Sequence, residues 1–222
     1  MAMKTPWKIL NQMIQEFNTA GLLWFLLLVA VNDVIGTTCG GHQNGQREDL
    51  EEGDKRRDKW VRFFNLLDAD NDGVVDRHEY INGSVERAMG YFAPEKINAF
   101  NETVSRAWSS FWSTPEDDFQ QCFDVLDFIS AHATVFDTTM FLPSVKYWAK
   151  GLFRAADEDD DEELNVFEHK AFLQASNVHK GFCKSFSFVD ENQSRSIDKK
   201  EFVTAAVDYF CNRYDGSLFY GE

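Results

Sequence analysis

Proline and glycine are scarce in this chain, with 4 and 13 among 222 residues. A sandwich or barrel of many short strands needs frequent turn residues of those kinds, so their scarcity points to helices. Basic residues are outnumbered, 22 Lys and Arg against 37 Asp and Glu, for a formal net charge of −15. A field of that sign repels phosphates, which puts nucleic acid and anionic membrane last among the expected partners. Methionine is sparse too, with 5 in all, three of them at Met1, Met3 and Met13. A methionine-rich groove of the kind that grips partner helices is therefore not expected. Cysteine occurs only at Cys39, Cys122, Cys183 and Cys211, a spacing unlike that of disulfide-dense scaffolds. Two disulfides and three buried free thiols fit that count equally. The five histidines, His42, His78, His132, His169 and His179, form no metal-hydrolase or triad pattern, so no enzyme is expected. His78 and His169 lie in or beside the acidic loops described below, where exposure is the ordinary expectation.

The apolar run Gly21 to Val31 is 11 residues long, against about 20 needed to cross a bilayer as a helix. It fits the hydrophobic region of a secretory signal peptide with cleavage after Gly36. An uncleaved anchor and an amphipathic or core helix are the alternatives. Residues 40–57 are polar and contain glycine, as a flexible linker does. The expected organisation is a leader over 1–36, a linker over 37–57 and a folded domain over 58–222. A cleaved leader implies the secretory pathway or the extracellular space; a cytoplasmic protein is the alternative.

What the chain has in abundance is acid in clusters and aromatic rings, including 21 Phe. The windows 68–79, 157–168 and 190–201 hold 17 of the 37 acids, a density that calls for a counter-ion. Calcium takes six to eight oxygens. A 12-residue loop supplies them from positions 1, 3 and 5, a carbonyl at 7, position 9 and a bidentate Glu at 12. Position 6 turns sharply and favours Gly, and position 8 is apolar. In the first window Asp68, Asp70, Asp72, the Val74 carbonyl, Asp76 and Glu79 fill these roles, with Gly73 at the turn and Val75 apolar.

The second window offers Asp157, Asp159, Asp161, the Glu163 carbonyl, Asn165 and Glu168, with Leu164 apolar. Its turn residue is Glu162, which costs about 1 kcal/mol if a positive φ is needed. In the third window Asp190, Asn192, Ser194, the Ser196 carbonyl, Asp198 and Glu201 stand in place, with Ile197 apolar and Arg195 at the turn. Fewer charges and a strained turn predict weaker binding there. This is the EF-hand pattern, whose loops normally pair. The second and third windows start 33 residues apart, the spacing of one pair. The first has a decayed mate in Glu116 to Asp127, with Phe123 at position 8 and Gln120 and Gln121 in place of a ligand and the Gly.

Apolar residues recur at helical spacing around each loop: Trp60, Phe63, Phe64 and Leu67 before the first, and Val145, Trp148, Leu152 and Phe153 before the second. Phe182, Phe186 and Phe188 precede the third, with Phe202, Ala205, Ala206 and Phe210 behind it. All are expected in the core. The fold class is all-α: four EF-hand units in two pairs, 58–135 and 140–222, forming one compact domain with the second unit degenerate.

Four such units with a long insert after the first loop resemble the sarcoplasmic calcium-binding protein family, which is related to luciferin-binding proteins and calcium-triggered photoproteins. The resemblance runs from about 58 to 222 and rests also on Lys59 to Asp68, on Ala93-Pro94-Glu95 and on the aromatic end Leu218 to Gly221. It implies a calcium buffer or store at three sites, with Mg2+ as a competitor, in a monomer. Photoproteins of that group hold an oxidised luciferin with a His and a Trp on the last helix. Ala206 and Phe210 stand at those places here and the chain ends in Glu222, so light emission is not expected. A hydrophobic small molecule or a partner helix, bound under calcium control, is the alternative role.

Overall fold

The computed structural model describes residues 55–111, 122–136, 141–214 and 216–221. The expected leader, almost all of the linker and the first half of the decayed loop lie outside the described residues.

The first helix, α1 (Arg56–Leu67), forms because Trp60, Phe63, Phe64 and Leu67 repeat at intervals of three and four and bury one face. It starts inside the stretch whose composition reads as linker, and Arg56 is already buried. It stops at Asp68, whose N–H still reaches the Phe64 carbonyl at 2.9 Å. After the first loop come β1 (Val74–Asp76), a π-helical stretch (His78–Gly83) and α2 (Ser84–Ala88). The insert supplies α3 (Pro94–Phe111), opened by a proline whose fixed φ suits the first helical position. Then follow β2 (Cys122–Asp124), α4 (Val125–Phe136), α5 (Phe141–Ala156), β3 (Glu163–Leu164) and α6 (Val166–Ala175). The last unit is α7 (Phe182–Val189), β4 (Ile197–Asp198) and α8 (Lys199–Cys211). No described helix is long and apolar enough to cross a membrane.

The strands are only two or three residues long, and they tie the loops together in pairs. β1 runs antiparallel to β2 with Val75 opposite Phe123, and β3 to β4 with Leu164 opposite Ile197. All four of these apolar residues are almost fully buried. The first loop therefore pairs with the decayed one, in the register that puts Phe123 at position 8.

The two pairs interlock rather than standing apart. α1 packs on α4 and α8, α3 on α5, and α2 on α6. Phe63 lies at the centre, its ring 6.0 Å from Phe128, 5.9 Å from Trp148, 5.1 Å from Phe210 and 5.6 Å from Tyr220. Polar bonds knit the first helix to the last: Trp60 Nε1 donates to the Phe210 carbonyl at 3.2 Å, and the Tyr209 hydroxyl to the Lys59 carbonyl at 2.8 Å. Lys59 is fully buried and donates to the carbonyls of Asp208, Asn212 and Tyr214 at 3.3, 2.7 and 3.2 Å. A cation there satisfies the orphan carbonyls and the negative end of α8 together.

Two expectations fail in this packing. Phe188 is exposed, because the inward face of α7 passes through Ser185 and Val189 instead. His169 is fully buried, not exposed. Its Nε2 sits 2.8 Å from the Ser185 hydroxyl, which donates to the Phe219 carbonyl at 2.9 Å and pins the C-terminal segment over the core. That segment also needs two glycines. A Cβ on Gly181 would lie 2.6 Å from the Gly221 carbonyl oxygen, and both residues have positive φ, 77° and 88°. The thiols match neither expected pattern: Cys122 is disulfide-bonded, Cys183 is exposed and free, and Cys211 is half-buried and free.

His132 is buried among Trp60, Phe128 and Phe141, and burial lowers its pKa from 6.5 to about 4, only partly opposed by a bond to the Phe128 carbonyl. An unfolded histidine takes its proton near 6.5 and the folded one resists until about 4, so stability falls as pH drops through that interval. The loss by pH 4 is on the order of 3 kcal/mol. The stability difference between the wild type and His132→Phe, from urea unfolding at pH 7 and pH 4.5, should shift in favour of the variant at the lower pH.

Candidate metal centres

In each of the three acidic loops the chain bends around its own first carboxylate. Asp68 Oδ2 accepts from the Gly73 N–H at 3.1 Å, Asp157 Oδ2 from Glu162 at 3.2 Å, and Asp190 Oδ2 from Arg195 at 3.0 Å. These three donors occupy position 6, where φ is 86° at Gly73, 67° at Glu162 and 76° at Arg195. Position 4 is left-handed too, at Asn71, Asp160 and Gln193, with φ of 62°, 60° and 60°. Asn and Asp tolerate that region by local hydrogen bonding, whereas Glu and Arg at position 6 are held there at a cost of about 1–2 kcal/mol each.

The closing half of each loop is a reciprocal pair that also starts the outgoing helix. Asn165 caps α6 by accepting from Phe167 and Glu168 N–H, while Glu168 accepts from the Asn165 N–H at 2.8 Å. Asp198 and Glu201 do the same for α8, and Asp76 and Glu79 after the first loop, where the Glu79 N–H donates to Asp76 at 2.8 Å. In sequence terms this is a capping box: the cap is position 9 and the acid three residues on is position 12. The decayed loop keeps this half, with the Asp127 N–H donating to Asp124 at 2.9 Å and the Asp124 N–H to Asp127 at 3.3 Å.

In two loops part of the expected carboxylate set comes together, without Asp76 and Glu79 in the first and without Asp161 in the second. Single oxygens of Asp68, Asp70 and Asp72 lie within 4.8 Å of one another, and so do those of Asp157, Asp159 and Glu168. In the last loop hydrogen bonds link Asp190 and Asn192 to the Ser194 N–H and Asp198 to Glu201, and the Ser194 hydroxyl donates to the Ser196 carbonyl at 2.9 Å. Two expected ligands there are bonded to each other. Asp161 and Glu163 are joined by the Glu163 N–H donating to Asp161 Oδ1 at 2.8 Å, and Val74 likewise donates to Asp72 at 2.9 Å.

Electrostatics agree with that reading. Burial raises the pKa of Glu79, Asp157 and Glu168, against backbone hydrogen bonds that lower it, and neighbouring carboxylates add to the rise. Carboxylates short of solvation and crowded by like charge are what a divalent cation neutralises. The sequence alone did not reveal a basic neighbour: Lys96, from α3, pairs with Asp160 in the second acidic loop. Lys199 meets Glu162 at 3.1 Å.

This arrangement of paired helix–loop–helix units defines the EF-hand fold. No protein-family model and no curated protein sequence matches the chain. Among solved structures it is similar to the coelenterazine-binding protein of Renilla muelleri in its calcium-loaded apo form, at 18% identity and a TM-score of 0.62, over 78% of this chain and 99% of that one. It is similar to calcium-loaded apo-aequorin from Aequorea victoria, at 14% identity and a TM-score of 0.60, over 73% and 93%. A sarcoplasmic calcium-binding protein from amphioxus matches at 10% identity and a TM-score of 0.55, over 78% and 99%. At these identities the likeness is one of fold.

Replacing Arg195 by Gly should relax the left-handed turn and remove a positive charge from the last loop. Calorimetric titration should then show that loop binding calcium about fivefold more tightly, the equivalent of about 1 kcal/mol.

Proposed function

We propose that the protein is a calcium buffer or store, taking Ca2+ at loops 68–79, 157–168 and 190–201, with 116–127 kept only as a structural mate. The observation that carries this is the shared scaffold of the three loops. Each has left-handed residues at positions 4 and 6, a first carboxylate that accepts from position 6, and a Glu at 12 locked to position 9. Two of them also gather three carboxylate oxygens within 4.8 Å. The calcium-loaded forms among similar structures support the same reading. Mg2+, another oxygen-seeking divalent cation, is the expected competitor, and loop 190–201 the weakest site.

Buffering rather than switching is favoured by how the halves are joined. A sensor must part its helices to show a groove. Here α1, α2 and α3 are each packed on helices of the other half, and aromatic rings occupy the centre around Phe63. The second reading, a calcium-controlled carrier of a hydrophobic molecule, draws on the likeness to a coelenterazine-binding protein. It is also favoured by a buried polar atom: His169 Nδ1 has no hydrogen-bond partner among the described residues. The secretory pathway or extracellular space remains the proposed location, on the apolar run Gly21 to Val31 alone. The N-terminal residue of the native protein tests it.

Glu79→Gln should abolish one of three calcium equivalents in isothermal titration and leave the other two. Three unchanged sites would overturn the assignment of that loop. A hydrophobic dye added during the titration should gain little fluorescence, and a marked rise would replace buffer by sensor or carrier.

A further inference from the structure

Lys96 is the second residue after the proline that opens α3, and the first turn of a helix is where a cation is least welcome. It is also 6% exposed, in a residue type that is almost never buried without a partner. Its ammonium reaches across the molecule to Asp160, 64 residues on, at 2.5 Å. α3 lies along α5, the helix that leads into loop 157–168, and this packing carries the lysine to the loop. Asp160 is at position 4, whose side chain is not a ligand. Lys96 therefore stands beside the metal position without occupying it. Its field is felt at Asp157, the first ligand, whose carboxyl it pulls back towards the charged form.

The loop it serves has more charge than one ion can balance, with eight acids in twelve residues. The other basic neighbour, Lys199, is nearly half exposed and its partner Glu162 largely so, and solvent screens that pair. Lys96 differs in its own burial: its side chain is 8% exposed while its partner Asp160 is 76% exposed, so solvent reaches that pair from the carboxylate side only.

We propose that Lys96 sets the calcium affinity of loop 157–168, acting as a fixed internal cation that opposes the arriving ion and stands in for part of its charge when the loop is empty. The proposal rests on the reading of that loop as a calcium site. It gives the decayed second unit a use, because the helix that supplies Lys96 is that unit's incoming helix. Calcium exchange in one half is thereby tuned by a residue of the other. Removing the charge should tighten binding and slow release, and leave the metal-free loop less stable.

The test uses the full chain with Glu79→Gln and Glu201→Gln, so that 157–168 alone titrates. Lys96→Met keeps the buried stem and removes the charge. Calorimetry should show roughly three- to tenfold tighter calcium binding, with a proportionate fall in chelator-driven release rate and a gain that shrinks at high salt. Lys96→Arg should restore the parent affinity, and Lys199→Gln should change it less than twofold. If Lys96→Met does not fold, Lys96→Gln takes its place with the same expectations. Unchanged or weaker binding, or an Arg variant that behaves like Met, overturns the proposal. A folded parent that binds no calcium at this loop overturns the site itself.

Discussion

Two short strand pairings hold this structure in register, and most of its other features can be traced to them. A lone EF-hand loop leaves an apolar residue and a row of backbone groups at position 8 without a partner. Pairing buries both. Leu164 and Ile197 satisfy one another between two loops that keep their ligands. Val75 has only the decayed loop to meet, and this is why that loop keeps Phe123, its strand and its closing acids Asp124 and Asp127. In sequence its ligand half has Gln120 and Gln121 in place of a ligand and the Gly, whereas its pairing half is kept, since an unpaired buried strand edge is costly.

The same economy governs charge. Each loop aims its own N–H groups at its own carboxylates and so bends around its first Asp. What hydrogen bonds leave uncompensated is taken up by lysines, and Lys96 and Lys59 make opposite uses of burial. Lys59 is enclosed by carbonyls and closes α8 against α1. Lys96 is pointed at an acidic loop and stays electrostatically coupled to its ligands. One cation serves the fold and the other faces the site.

Much of the site was legible because ligand spacing is a local property. Asp68 through Glu79 could be assigned position by position from residue types alone, and the structure puts the same residues on one scaffold. The mate of the first loop was harder, having lost its ligands. Phe123 and Asp127 still gave its register, since alternation and capping chemistry survive when coordination does not. Glu162 and Arg195 were readable as strained turns, and both have positive φ. Phe188 misled because a helix of eight residues such as α7 can turn either of two faces inward, and His169 because α7 packs over α6 and brings the Ser185 hydroxyl to its ring.

By itself, then, the sequence determined the loops, the helices between them and the all-α fold class, all of which depend on residues within about a dozen positions of one another. Only the tertiary structure decided how the halves interlock. It put a buried histidine and serine under the C-terminal segment, and it carried Lys96 to a loop 64 residues away. Contacts of that range are fixed by the packing of whole helix faces, such as α3 on α5, and no local pattern of residues encodes them.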